Sequence, residues 1–417
     1  MPPPDQKLSP ALIGILALLF LSLFINYIDR GALSIALPML EDEFHLSRSQ
    51  LGVLLSVFFW SYAVFLLISG WLADRFHAGR LLASGFLVWS VATLLTAAMR
   101  SFGGLLGMRL LLGVGESTAY PCFSKLLVND FPERHRGFAN AFISVGIAAG
   151  PAFGLLVGGL LMARYGWRSY FVGLGCAGLL WLPLWLAKMP RTTAANETAQ
   201  TEPAPTVADI LMQRSAWGSF GGHFGGNYLL YFLLTWLPYY LVRERHFSLV
   251  QMGKILGLAY LMLAFFSILS GILSDRWIAA GHSATRVRKG MIGAGQLMGG
   301  IFLAACGLAG TNWAIAFLLL ASAAYGFNAS NLFAITQTLA GPRASGKWTG
   351  LQNFCGNLAG IAAPAITGFV AERTGNFVWA FLLTGLVSII GAVCWFFVVG
   401  RIEPVVWGAE RTPNAAA

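Results

Sequence analysis

Apolar residues in this chain fall in long runs, not in the strict alternation of half-buried strands. The first run extends from about Leu12 to about Leu37, and comparable runs recur through the chain. A spanning helix needs roughly 20 mainly apolar residues. The pattern therefore predicts twelve transmembrane helices, centred near residues 24, 62, 90, 112, 149, 178, 229, 262, 298, 326, 358 and 388. The first run exceeds the core of a signal peptide, about 7–15 residues. It also contains Asp29 and Arg30, so it reads as a retained span.

One interval departs from this pattern. Residues 190–214 are polar and proline-bearing, the composition of a linker. The expected organisation is a six-helix bundle over 1–189, a cytoplasmic linker over 190–214, a second six-helix bundle over 215–401 and a tail over 402–417. The two halves echo each other. GWLADRFHAGR (Gly70 to Arg80) follows the second span and SGILSDRWIAAG (Ser270 to Gly281) follows the eighth. Asp74 and Asp275 lie 201 residues apart, and each precedes an arginine. An internal repeat of this size predicts an all-α membrane protein of two pseudo-symmetric bundles with a site at the repeat interface.

Composition agrees. Hydrophobic residues make up 57% of 417 positions and charged residues 11%, against about 25% charged in a typical soluble domain. Mean hydropathy is +0.69. The net charge of +10 does not indicate a nucleic-acid partner, because the basic residues form no stripe. They are scattered between the apolar runs. With both termini assigned to the cytoplasm, most of the 27 Lys and Arg fall in cytoplasmic segments, as the positive-inside rule requires. The five cysteines form no CxxC or Cys/His cluster, so neither a disulfide framework nor a metal site is expected. No GxxxxGK[ST] loop appears, which argues against ATP-driven transport. No nucleophile–base pattern suggests an enzyme.

The chemistry lies in the few charges inside the apolar runs. Of 17 acidic residues, Asp29 and Glu116 sit well inside predicted spans, and of the basic residues Arg30 and Arg109 do. All four belong to the first and fourth spans. A charge at a helix centre costs on the order of 2.5–3.5 kcal/mol on insertion scales. Four unpaired charges would cost roughly 10–14 kcal/mol on that scale, comparable with a domain's whole stability. They must pair, face water or, for the acids, take up protons. Arg109 and Glu116 are seven apart, two helical turns on one face. Asn26 lies four before Arg30 and shares its face. A purely structural ion-pair network is the plain alternative, but intramembrane ionisable groups usually mark pathways.

Several stretches carry a family resemblance. Gly70, Asp74, Arg75, Gly79 and Arg80 stand where the major facilitator superfamily has its conserved loop between helices 2 and 3. GIAAGPAFGLLVGG (Gly146 to Gly159) resembles its glycine-proline motif on helix 5. NYIDRGALSIA (Asn26 to Ala36), GMRLLLGVGESTAYP (Gly107 to Pro121) and GLQNFCGNLAGIAAPAITGFV (Gly350 to Val370) resemble the first, fourth and eleventh helices of its anion:cation symporter family, in particular bacterial sugar-acid carriers. The resemblance implies a monomeric carrier in a bacterial inner membrane, with a small organic anion as substrate, the proton as coupling ion, no other cofactor, the lipid bilayer as its surroundings and no nucleic acid.

Chemistry and resemblance together divide the labour. Arginine stays charged and offers a planar fork that fits a carboxylate, so Arg30 is expected to hold the substrate. Asp29 and Glu116 are expected to exchange protons, with Arg109 pairing one of them in the unloaded state. Tyr62 matches a family tyrosine. His223, with Asn227 one turn on, lies within the seventh span, where sugar-acid carriers often show glutamine. Asn331 and Asn353 are candidates to bind hydroxyls, against interhelical hydrogen bonding. Asp74, Arg75 and Arg80, with Asp275 and Arg276, are expected from the superfamily to form cytoplasmic latches that favour the outward-open state. The competing readings are a proton-independent anion exchanger or uniporter, and a transporter-like sensor that binds without translocating.

Overall fold

Lipid offers the backbone of an apolar run no hydrogen-bond partners, so each run satisfies its N–H and C=O groups internally as a helix. In a computed structural model describing residues 8–131, 133–190 and 205–407, every regular element is helical. The order is α1 (Pro10–Phe44), α2 (Arg48–Arg75), α3 (Ala78–Thr96), α4 (Phe102–Glu116), α5 (Ala119–Asp130), α6 (Glu133–Lys188), α7 (Val207–Leu211), α8 (Arg214–Thr235), α9 (Leu237–Arg243), α10 (Leu249–Ala279), α11 (Ala284–Leu308), α12 (Thr311–Thr374) and α13 (Val378–Val393), closed by a π-helical turn, Cys394–Val398.

Local chemistry explains the boundaries. Ser9 caps α1 by accepting from the Leu12 amide, and Ser47 with Gln50 forms a reciprocal capping box on α2, the expected use of Ser at an N-cap. Two elements run too far to be single spans. α6 turns at Gly166 (φ 77°) and α12 at Gly341 (φ 63°), left-handed positions that glycine occupies without penalty. Each therefore holds two of the expected segments.

Among the described residues, nine helices are long and apolar enough to cross a membrane, with α6 represented as one of them. The segments expected near 112 and 229 fall on interrupted helices. The first breaks at Ser117 and Thr118 between α4 and α5, and the second at Trp236 between α8 and α9. Most of the expected linker, 191–204, lies outside the described residues. Its end is ordered as α7, where Thr206 and Asp209 form a capping box.

The chain divides into two compact units. Unit 1 comprises residues 1–197 together with 234–260, and unit 2 comprises 198–233 together with 261–417. Unit 1 thus gathers α1 to α6, α9 and the start of α10. In unit 1, α1 packs along α6, and α3 packs against both α4 and α6. In unit 2, α11 is enclosed by α12 and α13. At the α3–α4 crossing the two backbones nearly touch. A Cβ on Gly115 would stand 2.7 Å from the Gly85 carbonyl oxygen and 2.7 Å from the Trp89 amide nitrogen. Small residues at such crossings are how membrane helices approach closely.

Candidate functional site

The four intramembrane charges come together inside unit 1. Asp29 and Arg30 sit at mid-length in α1, and Arg109 and Glu116 line one face of α4. All four are buried; Glu116 is 0% exposed. The centre of the cluster is an ion pair. Arg30 Nε donates to Glu116 Oε2 at 2.8 Å. The Arg30 guanidinium is also boxed by three rings: Tyr62 at 4.7 Å, Tyr27 at 4.9 Å and Phe58 at 5.2 Å from centroid. Desolvated cations over aromatic faces gain about 2 kcal/mol, so the pocket holds a charge that apolar packing alone would reject. Tyr62 stacks on Phe58, and the Tyr27 and Tyr120 hydroxyls meet at 3.2 Å.

Arg109 stands apart from that ion pair. Among the described residues no carboxylate lies within 4.0 Å of it, and its guanidinium lies 5.0 Å from the Phe58 ring centroid. Its Nε is buried without a hydrogen-bond partner. The acid's partner in this structure is thus Arg30, because the turn of α1 that carries Arg30 faces the end of α4 where Glu116 lies. Phe58 stands beside both guanidiniums. It carries no charge or polar atom, so no sequence signal distinguishes it from a core phenylalanine.

Asp29 is held from another side. The Thr93 hydroxyl on α3 donates to Asp29 Oδ2, while Oδ1 is buried without a hydrogen-bond partner. Glu116 Oε1 shares that condition, and the Asn26 amide on α1 lies beside the Glu116 carboxyl. Buried polar atoms are nearly always satisfied, and leaving one unsatisfied costs about 1–3 kcal/mol. Several in one cluster mark a place where protons, water or a polar solute can bond. Thr93 went unrecognised in the sequence because a buried helical threonine looks like any other.

Unit 2 has a different character. The His223 ring nitrogen Nδ1 lies 3.1 Å from the Gln352 carbonyl, and its ring meets Phe333 edge-on. Asn227 is buried one turn on. Asn331 donates to the Ser270 hydroxyl at 3.1 Å. Asn353, half-buried, accepts from Asn357 through its carbonyl at 2.8 Å, and Asn357 accepts from the Tyr231 hydroxyl at 2.8 Å. The hub is Gln296, which the sequence did not single out. It takes bonds from Asn328 at 2.6 Å and Trp395 at 3.1 Å, and donates to the Gly222 carbonyl at 3.1 Å. The Gln296 bonds join α11 to α8, α12 and the π-helical turn.

Of the expected latch residues, Arg75, Arg80, Asp275 and Arg276 are exposed. Arg75 lies over the Trp71 ring at 4.4 Å. The Asp74 side chain lies outside the described residues.

Known proteins share this sequence and architecture. The sequence model of the Major Facilitator Superfamily matches residues 19–364 and 278–415. The chain belongs to the major facilitator superfamily. It is therefore a membrane transport protein and not an enzyme. It is 31% identical to the "Probable galactarate/D-glucarate transporter GudP" of Bacillus subtilis, a match covering 94% of this chain and 92% of that protein. It is 29% identical to the "Hexuronate transporter" of the same organism, over 94% and 95% of the two chains. Among solved structures, a bacterial homologue of the human lysosomal transporter Spinster superposes with a TM-score of 0.81 at 19% identity, covering 94% of this chain and 98% of that one. A D-xylose-proton symporter superposes with a TM-score of 0.76 at 16% identity, over 94% and 99%. These structures share the superfamily fold.

Proposed function

We propose that this chain is a secondary active transporter that carries a small organic anion, a sugar acid or other carboxylate, together with protons by alternating access. The observation that carries the reading is the buried cluster of Asp29, Arg30, Arg109 and Glu116, in which Asp29 Oδ1, Glu116 Oε1 and Arg109 Nε have no hydrogen-bond partner. The names of the relatives, a galactarate/D-glucarate and a hexuronate transporter, support an organic acid as cargo.

In this reading the Arg30–Glu116 pair is the competitor that the substrate displaces. A carboxylate reaching Arg30 takes the fork that Glu116 occupies, and Glu116, deprived of its counter-charge, takes up a proton. Neutral Glu116 then leaves Arg30 to the substrate. When the site turns to the other face the steps reverse: substrate leaves, Glu116 loses its proton and re-forms the pair. Arg109 steadies whichever acid is ionised. Tyr62, His223, Asn227, Asn331 and Asn353 contribute substrate contacts. Asp74, Arg75, Arg80, Asp275 and Arg276 act as cytoplasmic latches, both termini lie in the cytoplasm, and the membrane is a bacterial inner membrane. Each acid retained in the apolar interior costs insertion energy that a proton-independent exchanger would have no use for.

The test is uptake into liposomes containing purified protein, with galactarate, glucarate and hexuronates as cargo and a pH gradient as driving force. Wild type is expected to accumulate at least one acid, acid side to alkaline side. Glu116→Gln is expected to lose accumulation yet retain counterflow exchange. Accumulation by that variant against a gradient removes Glu116 from coupling. Failure of the wild type to move any carboxylate on a pH gradient overturns the symport reading.

A further inference from the structure

Thr93 differs from several other helical threonines. Thr96, Thr338, Thr374 and Thr384 each donate to the carbonyl one turn back in their own helix, at 2.8 Å. That is the usual resting place for a threonine hydroxyl in a helix. Thr93 is 2% exposed, and its hydroxyl leaves α3 to donate across to Asp29 Oδ2 on α1. The bond is charge-assisted when Asp29 is ionised, and such bonds are roughly twice as strong as neutral ones. The carboxylate is thereby divided: Oδ2 is occupied, and Oδ1 is buried with no partner.

We infer that Thr93 is a positioning residue for proton coupling, holding Asp29 so that Oδ1 is the atom that takes and returns the proton. The inference rests on the proton-coupled reading above. Protonation places the hydrogen on Oδ1, Oδ2 becomes the carbonyl oxygen, and the Thr93 hydroxyl keeps its bond there in weakened form. The hydroxyl thus favours the ionised carboxylate without blocking the neutral one. The charged and titratable groups that face Asp29 are Arg30 on its own helix, Glu116 and Arg109 on α4, and Tyr170 on α6. Thr93 supplies a fixed, uncharged donor among them, so its contribution does not change when substrate or protons rearrange the Arg30–Glu116 pair.

Thr93→Val keeps the shape and removes the donor, while Thr93→Ser keeps the donor. Infrared titration of the reconstituted, full-length protein reads carboxyl protonation directly, with Asp29→Asn identifying the Asp29 band. Loss of one bond to a charged group is expected to move the Asp29 midpoint in Thr93→Val upward by about one to two pH units. The pH profile of liposome uptake should follow it, and Thr93→Ser should restore both. An unmoved Asp29 band in folded Thr93→Val, with wild-type uptake still driven by the pH gradient, overturns the role of Thr93 alone. A wild type that moves no acid on a pH gradient overturns the coupling reading, whatever the band does.

Discussion

The Arg30–Glu116 pair makes a quantitative prediction for a double-mutant cycle. With Nε and Oε2 at 2.8 Å, the charge centres lie about 4 Å apart, an attraction of about 4 kcal/mol at an effective dielectric of about 20. Both groups are almost wholly buried, and each has already given up several kcal/mol of hydration. Replacing one partner forfeits the attraction while the other stays desolvated, a loss of about 3–5 kcal/mol. The neighbours decide which replacement is worse. Arg30→Met strands Glu116 in a cluster that also holds the Asp29 carboxylate. Glu116→Gln strands Arg30 with Asp29 nearby as a residual counter-charge, and the amide oxygen can still accept from Arg30 Nε. The double variant loses the attraction and both desolvation costs together.

The expected order of thermal midpoints in detergent, read from intrinsic tryptophan fluorescence, is wild type highest and Arg30→Met lowest. Glu116→Gln falls between them, and the double variant lies above Arg30→Met. The double variant should be destabilised less than the sum of the singles by about 1–3 kcal/mol. Additive losses would mean the two side chains do not sense each other, and the displaced-pair mechanism would fall with them.

Two further predictions concern the scaffold. Gly115→Ala drives a Cβ into the Gly85 carbonyl and Trp89 backbone, and backbone yields less readily than a side chain. A cost of about 1–3 kcal/mol is expected, with reduced transport because α3 and α4 carry Thr93 and Glu116; Gly103→Ala, which meets nothing within 4 Å, is the control, and equal effects would refute the crossing. Arg243 pairs with Glu41 at 2.9 Å and with Asp42, and donates to the Pro38 carbonyl at 2.7 Å, while Arg48 pairs with Glu244 at 2.7 Å. Because these groups are partly exposed, Arg243→Ala should lower the thermal midpoint modestly, by about 0–1 kcal/mol per pair. That difference should shrink at high salt, and a salt-independent loss would locate the effect in packing instead.

The helices were legible because lipid imposes one rule on every segment, and a long apolar run with glycine satisfies it visibly. The membership of the charged cluster was legible for the complementary reason. An ionisable residue in an apolar run is expensive, so Asp29, Arg30, Arg109 and Glu116 announce themselves. Partnership was not. Sequence spacing fixes which face of a helix a residue lies on, but not which turn of another helix it meets. Arg30 and Glu116 are 86 positions apart, and no periodicity relates them. Thr93, Phe58 and Gln296 were missed for a further reason. Their roles come from direction: a hydroxyl turned away from its own helix, a ring between two cations, an amide at a junction of helices. Threonine, phenylalanine and glutamine each have commoner duties that leave the same letters in the sequence.

The buried polar clusters described in the two units differ in kind, although Tyr228, Ser274, Arg288 and Gln352 of unit 2 also each keep a buried atom without a hydrogen-bond partner. Gln296 bonds Asn328, Trp395 and Gly222, and Asn357 links Tyr231 to Asn353. A network of this kind resists rearrangement, because any shift breaks several bonds in a medium where they are strong. The unit 1 cluster is charged and leaves Asp29 Oδ1, Arg109 Nε and Glu116 Oε1 without hydrogen-bond partners. Its groups can exchange one another for a proton or a carboxylate at small net cost, since the bonds to be broken are few and the charges are already desolvated. A transporter needs that property at its coupling site and rigidity elsewhere. The unpartnered atoms of unit 1 and the bonded asparagines of unit 2 are consistent with that division. Proton coupling is accordingly to be sought among the helices of unit 1, while substitutions at Gln296 should act on stability before they act on coupling.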